Sequence, residues 1–414
     1  MKKGQRIQIV CISVNAILLM TLCARPIHGQ GSAISVRQAL DLARQRAPLI
    51  LSARARIEEA RGRLAGAVVR FRDNPLLELD AGPRFTNQGR LVELNVGISQ
   101  NFELGGRRSA RIAGAEAGVA EETANSDDAT RHLLRDVANA FVRCLWAQER
   151  LELLKSSEQL ATDLLQTSQR RYDVGDIPIL ELNLAKTSAI RANSEVRNAT
   201  VDLVESLGDL RVFLGMAADE PLAVQGNIRE QSHYDLESLL AAAPKRADLE
   251  ALAAEVHQAE ADVQLGQGFG RPEITIGGNY LRNERNNVVQ GGVKITLPVF
   301  SKGQELQATG TARANRIRGQ LEAAQRTVRT EIQTALEIQR YKVETADEME
   351  NTGLPALQEN ENLARRSYEE GEIGLPELLF IRREILETKL LYADSLLGAA
   401  LAGVEVEFRA GVLK

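Results

Sequence analysis

Hydrophobic residues follow two different spacings along this chain. In the longest segments they recur every three or four positions, as at Leu133, Val137 and Phe141, and this spacing is typical of helices that pack along one face, as in a coiled coil. In two shorter regions, 92–99 and 289–297, apolar and polar residues alternate one by one, which is the pattern of a strand with two different faces. The spacing therefore predicts long helices that are interrupted twice by paired strands.

Six segments carry the helical pattern, the first of them with Pro48 inside it. They are residues 35–70, 107–171, 178–214, 236–266, 304–367 and 375–410. A helix of about 65 residues is about 100 Å long and one of about 35 residues is about 50 Å long, so two short helices placed end to end match one long helix. Gly353 and Pro355 lie inside the fifth segment, where they predict a kink a few turns before its end.

One motif occurs twice, between two predicted helices each time. Its form is Tyr-x-x-Gly-x-Ile-x-x-x-Glu-Leu, and its residues are Tyr172, Gly175, Ile177, Glu181 and Leu182, then Tyr368, Gly371, Ile373, Glu377 and Leu378, shifted by 196. The segments that end the strand pairs, 102–105 and 300–303, are shifted by 198. A period this long exceeds that of solenoid repeats. We expect an internal duplication, with a first structural repeat at 33–215, a linker at 216–233 and a second repeat at 234–414.

The N-terminus has the layout of a secretory signal. Lys2, Lys3 and Arg6 precede an apolar run at 7–22, which is too short and wrongly flanked for a transmembrane helix. We therefore expect residues 1–30 to be a signal peptide and the mature chain to be exported. A retained membrane anchor and a lipid anchor on Cys23 are alternatives.

The residue types argue against several chemistries. Cys144 is the one cysteine beyond the expected signal, and the four histidines show no ligand spacing, so we expect no disulfide and no metal site. Motifs for phosphate binding, dinucleotide binding and nucleophilic catalysis are absent from the sequence. A net charge of −5 without a basic stripe argues against nucleic acid. The sequence therefore predicts no enzyme and no cofactor.

The strands point to a membrane. Each alternating run is about ten residues long, the length of a tilted strand that crosses a bilayer. Two amphipathic hairpins on a soluble core are the alternative, which is disfavoured because long thin helices have little spare apolar surface to cover. Four strands cannot close a barrel, since about eight is the practical minimum, and lipid does not tolerate open edges. Three copies would give twelve strands.

At this point the chain resembles the TolC-type outer-membrane efflux proteins. The resemblance rests on the duplication, the strand pairs, the doubled Tyr-x-x-Gly-x-Ile turn and the Phe-Glu-Leu-Gly-Gly-Arg segment at 102–107; that segment is similar to the heavy-metal efflux branch. The fold it implies is mainly α with a transmembrane β-barrel: a two-repeat protomer of long coiled-coil helices and four strands that trimerises into a 12-stranded barrel and a helical tunnel. The barrel would lie in the lipid of the outer membrane and the tunnel in the periplasm.

The resemblance also implies a function and partners. It implies a homotrimeric exit channel of a tripartite efflux system, which passively conducts metal cations or drugs delivered by an inner-membrane pump through a periplasmic adaptor. One alternative is the outer-membrane component of type I protein secretion. Another is a periplasmic coiled-coil scaffold, and a third is an exported enzyme on a helical frame, for which no catalytic constellation is visible.

Site residues follow from the resemblance, motif by motif. The two turns would form the periplasmic tips that contact the adaptor, through Tyr172, Gly175, Ile177, Tyr368, Gly371 and Ile373. Glu181 and Glu377 would line the aperture as a gate. The basic residues that flank the turns would form ion pairs that hold the tip closed, namely Arg170, Arg171, Arg365 and Arg366. Phe380 and Leu184 stand where some members of the family carry a second acidic residue. Solvated helix ends with ordinary surface ion pairs are the alternative.

Overall fold

Long helices make up most of the computed structural model, which describes residues 33–87, 89–230, 232–282 and 286–413. The helices of the first half are α1 (Val36–Arg46), α2 (Pro48–Val68), α3 (Arg107–Asp173) and α4 (Ile179–Leu214). Those of the second half are α5 (Leu236–Ala242), α6 (Ala247–Gly268), α7 (Gln304–Glu348), α8 (Leu354–Glu369) and α9 (Leu375–Ala410). The expected signal peptide, residues 1–30, lies outside the described residues.

Local sequence determines where the helices begin. Ser35 caps α1: its hydroxyl accepts a hydrogen bond from the Gln38 N–H, and the Gln38 side chain accepts one from the Ser35 N–H, as in a capping box. Pro48 lies in the first turn of α2, where its missing N–H removes no intrahelical bond. Gly106 and Gly303 have φ of 76° and 73° just before α3 and α7, a conformation that glycine adopts without strain.

Three interruptions divide the predicted helices. Residues 35–70 and 236–266 were each expected as one helix, but Ala47 is extended before Pro48, and a 3₁₀ turn at Ala243–Lys245 separates α5 from α6. Proline explains both breaks, because it restricts the preceding residue and removes a donor. The interruption predicted near Pro355 is present as a π-helical turn at Met349–Gly353.

The core lies in layers along the helices. α3 packs against α4 and α6, α7 packs against α6 and α9, and α3 also contacts α9. Midway along α3, Val137 and Phe141 are buried against Leu210 of α4 and against α1. The connection that follows α4 contributes to this cluster through Val224, which pairs with Ile34. Small residues are frequent in the core, which allows neighbouring helices to pack closely side by side.

A four-stranded antiparallel sheet joins the halves. Its strands are β1 (Leu76–Thr86), β2 (Gly89–Phe102), β3 (Glu273–Arg282) and β4 (Asn287–Thr296), in the order β1-β2-β3-β4. The central pairing of β2 with β3 brings together the hairpins of the two halves. The outer strands, β1 and β4, have no further strand beside them in the described part of the chain.

The two faces of the sheet differ in chemistry. Directly opposed residues share a face, and the pairs Leu79 with Val96, Val96 with Tyr280, and Tyr280 with Val289 define an apolar face. Its other members include Leu77, Leu94, Ile98, Ile276, Val293 and Ile295. The opposite face carries Glu78, Asp80, Asn95, Ser99, Thr275, Asn279, Gln290 and Lys294.

The apolar face is uncovered in the single chain. Leu79, Val293 and Val289 are 64%, 62% and 82% exposed, which is unusual for a face of this width in water. The polar face is linked by hydrogen bonds instead: Asn95 donates to Asp80 at 3.2 Å and accepts from Asn279 at 3.3 Å. Among the helices that the structure describes, none is long and apolar enough to span a membrane.

Candidate functional site

The doubled motif forms two tight reversals between long helices. In the first reversal, residues 174–178, Gly175 has a φ of 78° and its N–H bonds to the Tyr172 carbonyl at 2.8 Å. The Asp176 N–H bonds to the Arg171 carbonyl, also at 2.8 Å. These bonds satisfy the last carbonyls of α3, as a left-handed cap requires. Ile177 is 6% exposed and fixes the turn on the helices.

The second reversal, residues 370–374, repeats this geometry. Gly371 has a φ of 79°, and its N–H bonds to the Tyr368 carbonyl at 3.2 Å. The Glu372 N–H bonds to the Ser367 carbonyl at 2.8 Å, and the Ser367 hydroxyl donates to the Glu372 carboxylate at 2.8 Å. The glycine of each motif is therefore needed for its positive φ.

The helices that flank both reversals share one apolar cluster. Its buried members are Leu164 of α3, Ala185 of α4, Ala364 of α8, and Leu375 and Leu378 of α9. Tyr368 and Ile373 of the second motif pack against it. The two copies of the motif, which are 196 residues apart in the sequence, are therefore brought together at one end of the helical body.

Arg171 links the two reversals. Its Nε lies 2.7 Å from a carboxylate oxygen of Asp176, and its Nη1 donates to the Tyr368 hydroxyl at 3.3 Å. The guanidinium carbon also lies 5.8 Å from the centre of the Tyr368 ring. The hydrogen bond to Asp176 raises the pKa of Arg171 above its ordinary value. The sequence pointed to Arg171 as an ion-pairing residue but not to Tyr368 as its partner.

The other predicted basic residues stand apart. Arg170, Arg365 and Arg366 are exposed, and none of them has a carboxylate partner among the ion pairs of the described residues. Arg382, which sequence reasoning missed, is half-buried instead, and its Nη1 lies 3.4 Å from the Leu160 carbonyl. Burial lowers the pKa of Arg382. It lines a cleft of about 520 Å³ between α3, α4 and α9.

The two predicted gate residues occupy equivalent positions. Glu181 lies in the first turn of α4 and Glu377 in the first turn of α9, where the helix dipole favours negative charge. Glu377 is exposed and Glu181 is half-buried. One turn further on, Phe380 is 63% exposed, whereas Leu184 packs against the apolar cluster. Within the described residues, no group of three or more His, Cys, Asp or Glu side chains is arranged to hold a metal ion.

Comparison with known proteins finds one matching family and one curated relative. Residues 39–216 match the family described as "Outer membrane efflux protein". A segment of 240 residues is 27% identical to the cobalt-zinc-cadmium resistance protein CzcC of Cupriavidus metallidurans. That segment is 56% of this chain, and the chain spans only 55% of the length of that relative.

Solved structures extend the likeness to the whole fold. The crystal structure of CusC, described as forming a transmembrane channel, has a TM-score of 0.76 at 15% identity and covers 91% of each chain. The outer membrane channel CmeC of Campylobacter jejuni has a TM-score of 0.74 at 14% identity, covering 91% of this chain and 85% of its own. The mainly helical fold with a strand region, expected from the sequence, is confirmed.

Proposed function

We propose that this chain, a relative of the outer membrane efflux proteins, is the exit channel of a tripartite efflux system and works as a homotrimer. The kinship and the outer-membrane location that the sequence predicted are supported by the match of residues 39–216 to that family. In the proposal, three four-stranded sheets close a barrel in the outer membrane, and the helices continue it as a tunnel through the periplasm.

The single observation that carries this proposal is the sheet. Its apolar face is exposed along all four strands, its opposite face is polar, and its two edges lack partners in the described chain. An uncovered apolar face suits lipid, and edges in lipid must be paired because unsatisfied backbone groups cost several kcal/mol each. Closure by further copies satisfies both requirements.

A conductance measurement tests the channel. The purified full chain should require detergent for extraction, migrate as a trimer and form ion-conducting pores in a planar bilayer. A matched pair of variants sharpens the test: Leu94→Arg changes the apolar face, and Asn95→Arg changes the polar face one position away. Pores from Asn95→Arg but not from Leu94→Arg support the proposal; a water-soluble monomer without pore activity overturns it.

We assign divalent metal cations as the exported substrates, delivered by an inner-membrane pump through a periplasmic adaptor. Support comes from the likeness to a cobalt-zinc-cadmium resistance protein and from the exposed carboxylate of Glu377. The adaptor would contact the two reversals.

Cells that lack this protein should lose tolerance to cobalt, zinc or cadmium salts and regain it with the wild-type gene but not with Leu94→Arg. Unchanged tolerance to all three metals would refute the assignment of the substrate while leaving the channel intact.

A further inference from the structure

The connection from α2 to β1 presents three exposed residues, Arg70, Phe71 and Arg72, which we call the Arg-Phe-Arg strap. The backbone on each side of the strap is held in place. Arg108 of α3 donates to the Val68 carbonyl at 2.7 Å, and the Gln100 side-chain amide donates to the Asp73 carbonyl at 2.8 Å. The strap is therefore a fixed feature of the fold.

Phe71 places the strap on the apolar side of the sheet. Its ring meets the ring of Phe102 edge-on, with centroids 5.5 Å apart. Phe102 pairs in register with Ile274, which lies on the same face as the exposed aliphatic residues. Phe71 nevertheless stays 44% exposed. The strap thus lies where the apolar face ends and the helices begin.

The two cations of the strap form no ion pair within the described ranges of the chain. Arg70 and Arg72 are exposed, and neither has a carboxylate partner among the ion pairs of the described residues. The Arg70 guanidinium lies 5.6 Å from the centre of the Phe71 ring. A cation held over an exposed ring presents apolar and positive surface together.

The second repeat shows that the fold does not require this exposure. Phe269 lies 198 residues after Phe71, at the same junction of helix and strand. Its ring is covered by Arg107 at 5.0 Å, and Arg107 is 3% exposed and paired with Glu273. At this junction the aromatic ring of the second repeat is therefore covered by an arginine of α3, whereas Phe71 and the arginines beside it stay exposed.

The exposed Arg-Phe-Arg strap has the chemistry of a residue cluster at a membrane interface. The residues that follow β4 at the same end of the sheet are also exposed and apolar: Leu297 is 66%, Val299 is 61% and Phe300 is 91% exposed. Aromatic residues gather at the level of lipid headgroups, and nearby Lys or Arg residues attract anionic ones. The strap places an aromatic ring and two arginines together at the end of the apolar face.

We propose that the Arg-Phe-Arg strap binds the anionic headgroups of phospholipids on the periplasmic side of the outer membrane. The proposal rests on the proposed function, because it requires the sheet to lie in a bilayer. The ligand is a lipid headgroup and not free phosphate, since Phe71 needs the apolar boundary next to the charge. Each guanidinium should favour an anionic over a neutral headgroup about fivefold.

The test compares the full-length trimer in vesicles of phosphatidylcholine alone and of phosphatidylcholine with phosphatidylglycerol. The readouts are the midpoint of thermal unfolding and the phosphatidylglycerol retained by the purified trimer, measured by mass spectrometry. The variant is Arg70→Gln with Arg72→Gln. Its charge-matched control is Arg84→Gln with Lys294→Gln, which removes two positive charges from the polar face of the sheet.

Phosphatidylglycerol should stabilise the wild type and the control and be retained by both, whereas the strap variant should lose most of the effect. High salt should weaken the stabilisation by phosphatidylglycerol, and inorganic phosphate should not replace the lipid. Three outcomes would overturn the inference. The first is equal phosphatidylglycerol retention by the strap variant, and the second is equal stabilisation by phosphate. The third is a loss of trimer stability in both lipids, which would mark the strap as a contact between copies. Failure to float with either vesicle would instead refute the membrane barrel itself.

Discussion

At the scale of single residues, the link between the two reversals depends on one arginine. Arg171 bonds Asp176 in its own reversal and Tyr368 beside the other, and its side chain is partly exposed. Exposed contacts of this kind contribute about 0–1 kcal/mol. That is too little to hold the fold together, but it is enough to bias two arrangements of a helical tip.

Replacing Tyr368 by Phe tests that bias. The ring would keep its packing against the apolar cluster, while the hydroxyl that accepts from Arg171 is lost. We expect the single-channel conductance to rise by up to about fivefold, since about 1 kcal/mol changes a two-state ratio by that factor, with trimer stability unchanged. The control is Tyr341→Phe, an exposed tyrosine on α7. Identical conductance in both variants would show that the Arg171 bond does not restrict the tip.

The acidic residues that follow the two reversals lead to a second prediction. Three Glu377 side chains around a narrow axis would attract cations, which reduce their mutual repulsion and obstruct the pore. Divalent cations added from the periplasmic side should block the current, and Glu377→Ala should weaken the block without lowering trimer stability. Glu369→Ala, at the exposed end of α8, is the control. If block persists in the Glu377→Ala and Glu181→Ala double variant, the constriction lies elsewhere.

Glu407 gives a prediction about pH. Burial raises its pKa above the ordinary value of 4.5, while Tyr234 donates to its carboxylate at 2.9 Å. The folded state therefore binds this proton more tightly than the unfolded state. Its contribution to stability is complete below pH 4.5 and is lost as the pH rises through the folded pKa.

Glu407→Gln removes this titration and keeps an oxygen that accepts from Tyr234. The melting temperature of the variant should fall less than that of the wild type as the pH rises from 4.5. Thermal unfolding in detergent across this range measures the difference, with the exposed Glu237→Gln as control. Parallel curves for wild type and Glu407→Gln would contradict the prediction.

At the scale of secondary-structure elements, the two faces of the strands differ most clearly in their chemistry. Leu94 and Asn95 are neighbours on β2 but lie on opposite faces, and Asn95 sits in the hydrogen-bonded polar row next to Asp80. An Arg at Leu94 should cost about 2–4 kcal/mol of insertion near the midplane of a bilayer. An Arg at Asn95 can pair with Asp80 and should insert normally. The yield of each variant that folds into vesicles, measured by heat-modified gel migration, tests this difference. Equal yields for the two variants would mean that β2 does not span the membrane.

Most of these elements could be predicted because their signals are local. Periodicity and turn residues predicted α4 as 178–214 and α9 as 375–410, and the structure has them at Ile179–Leu214 and Leu375–Ala410. The missed breaks, at Ala47 and at Ala243–Lys245, each lie at a single proline, a residue that also occurs in the first turn of an ordinary helix. A helical pattern tolerates such positions, so sequence alone did not separate the pieces.

The candidate site was predictable in its position but not in its contacts. The doubled motif located both reversals, since glycine with positive φ is a local requirement. The contact of Arg171 with Tyr368 joins two halves of the chain and depends on how the helical pairs pack side by side. The same holds for Arg382, whose burial comes from α3 across the cleft. The acidic ring and the adaptor contact stay predictions.

At the scale of the whole molecule, the described part of the chain leaves two further surfaces without a partner besides the apolar face of the sheet. One is the pair of sheet edges, and the other is an apolar row along α4. Ile190, Val201, Val204 and Val212 are 70%, 54%, 65% and 74% exposed on that row. Their spacing of three, eight and eleven residues keeps them on one side of the helix. A tunnel built from several copies would cover this row and pair the edges at once.

Charged residues on that row should therefore prevent assembly without unfolding the protomer. Val201→Asp with Val204→Asp places two carboxylates in a surface that the neighbouring copy would bury, which is costly unless they are paired. We expect a shift from trimer to monomer in mild detergent, measured by analytical ultracentrifugation, with unchanged helical circular dichroism. Asn198→Asp with Thr200→Asp adds the same charge at exposed polar positions of α4 and should remain trimeric. A stable trimer from the valine variant would show that α4 faces solvent, and closure would then depend on the strand edges and other helices.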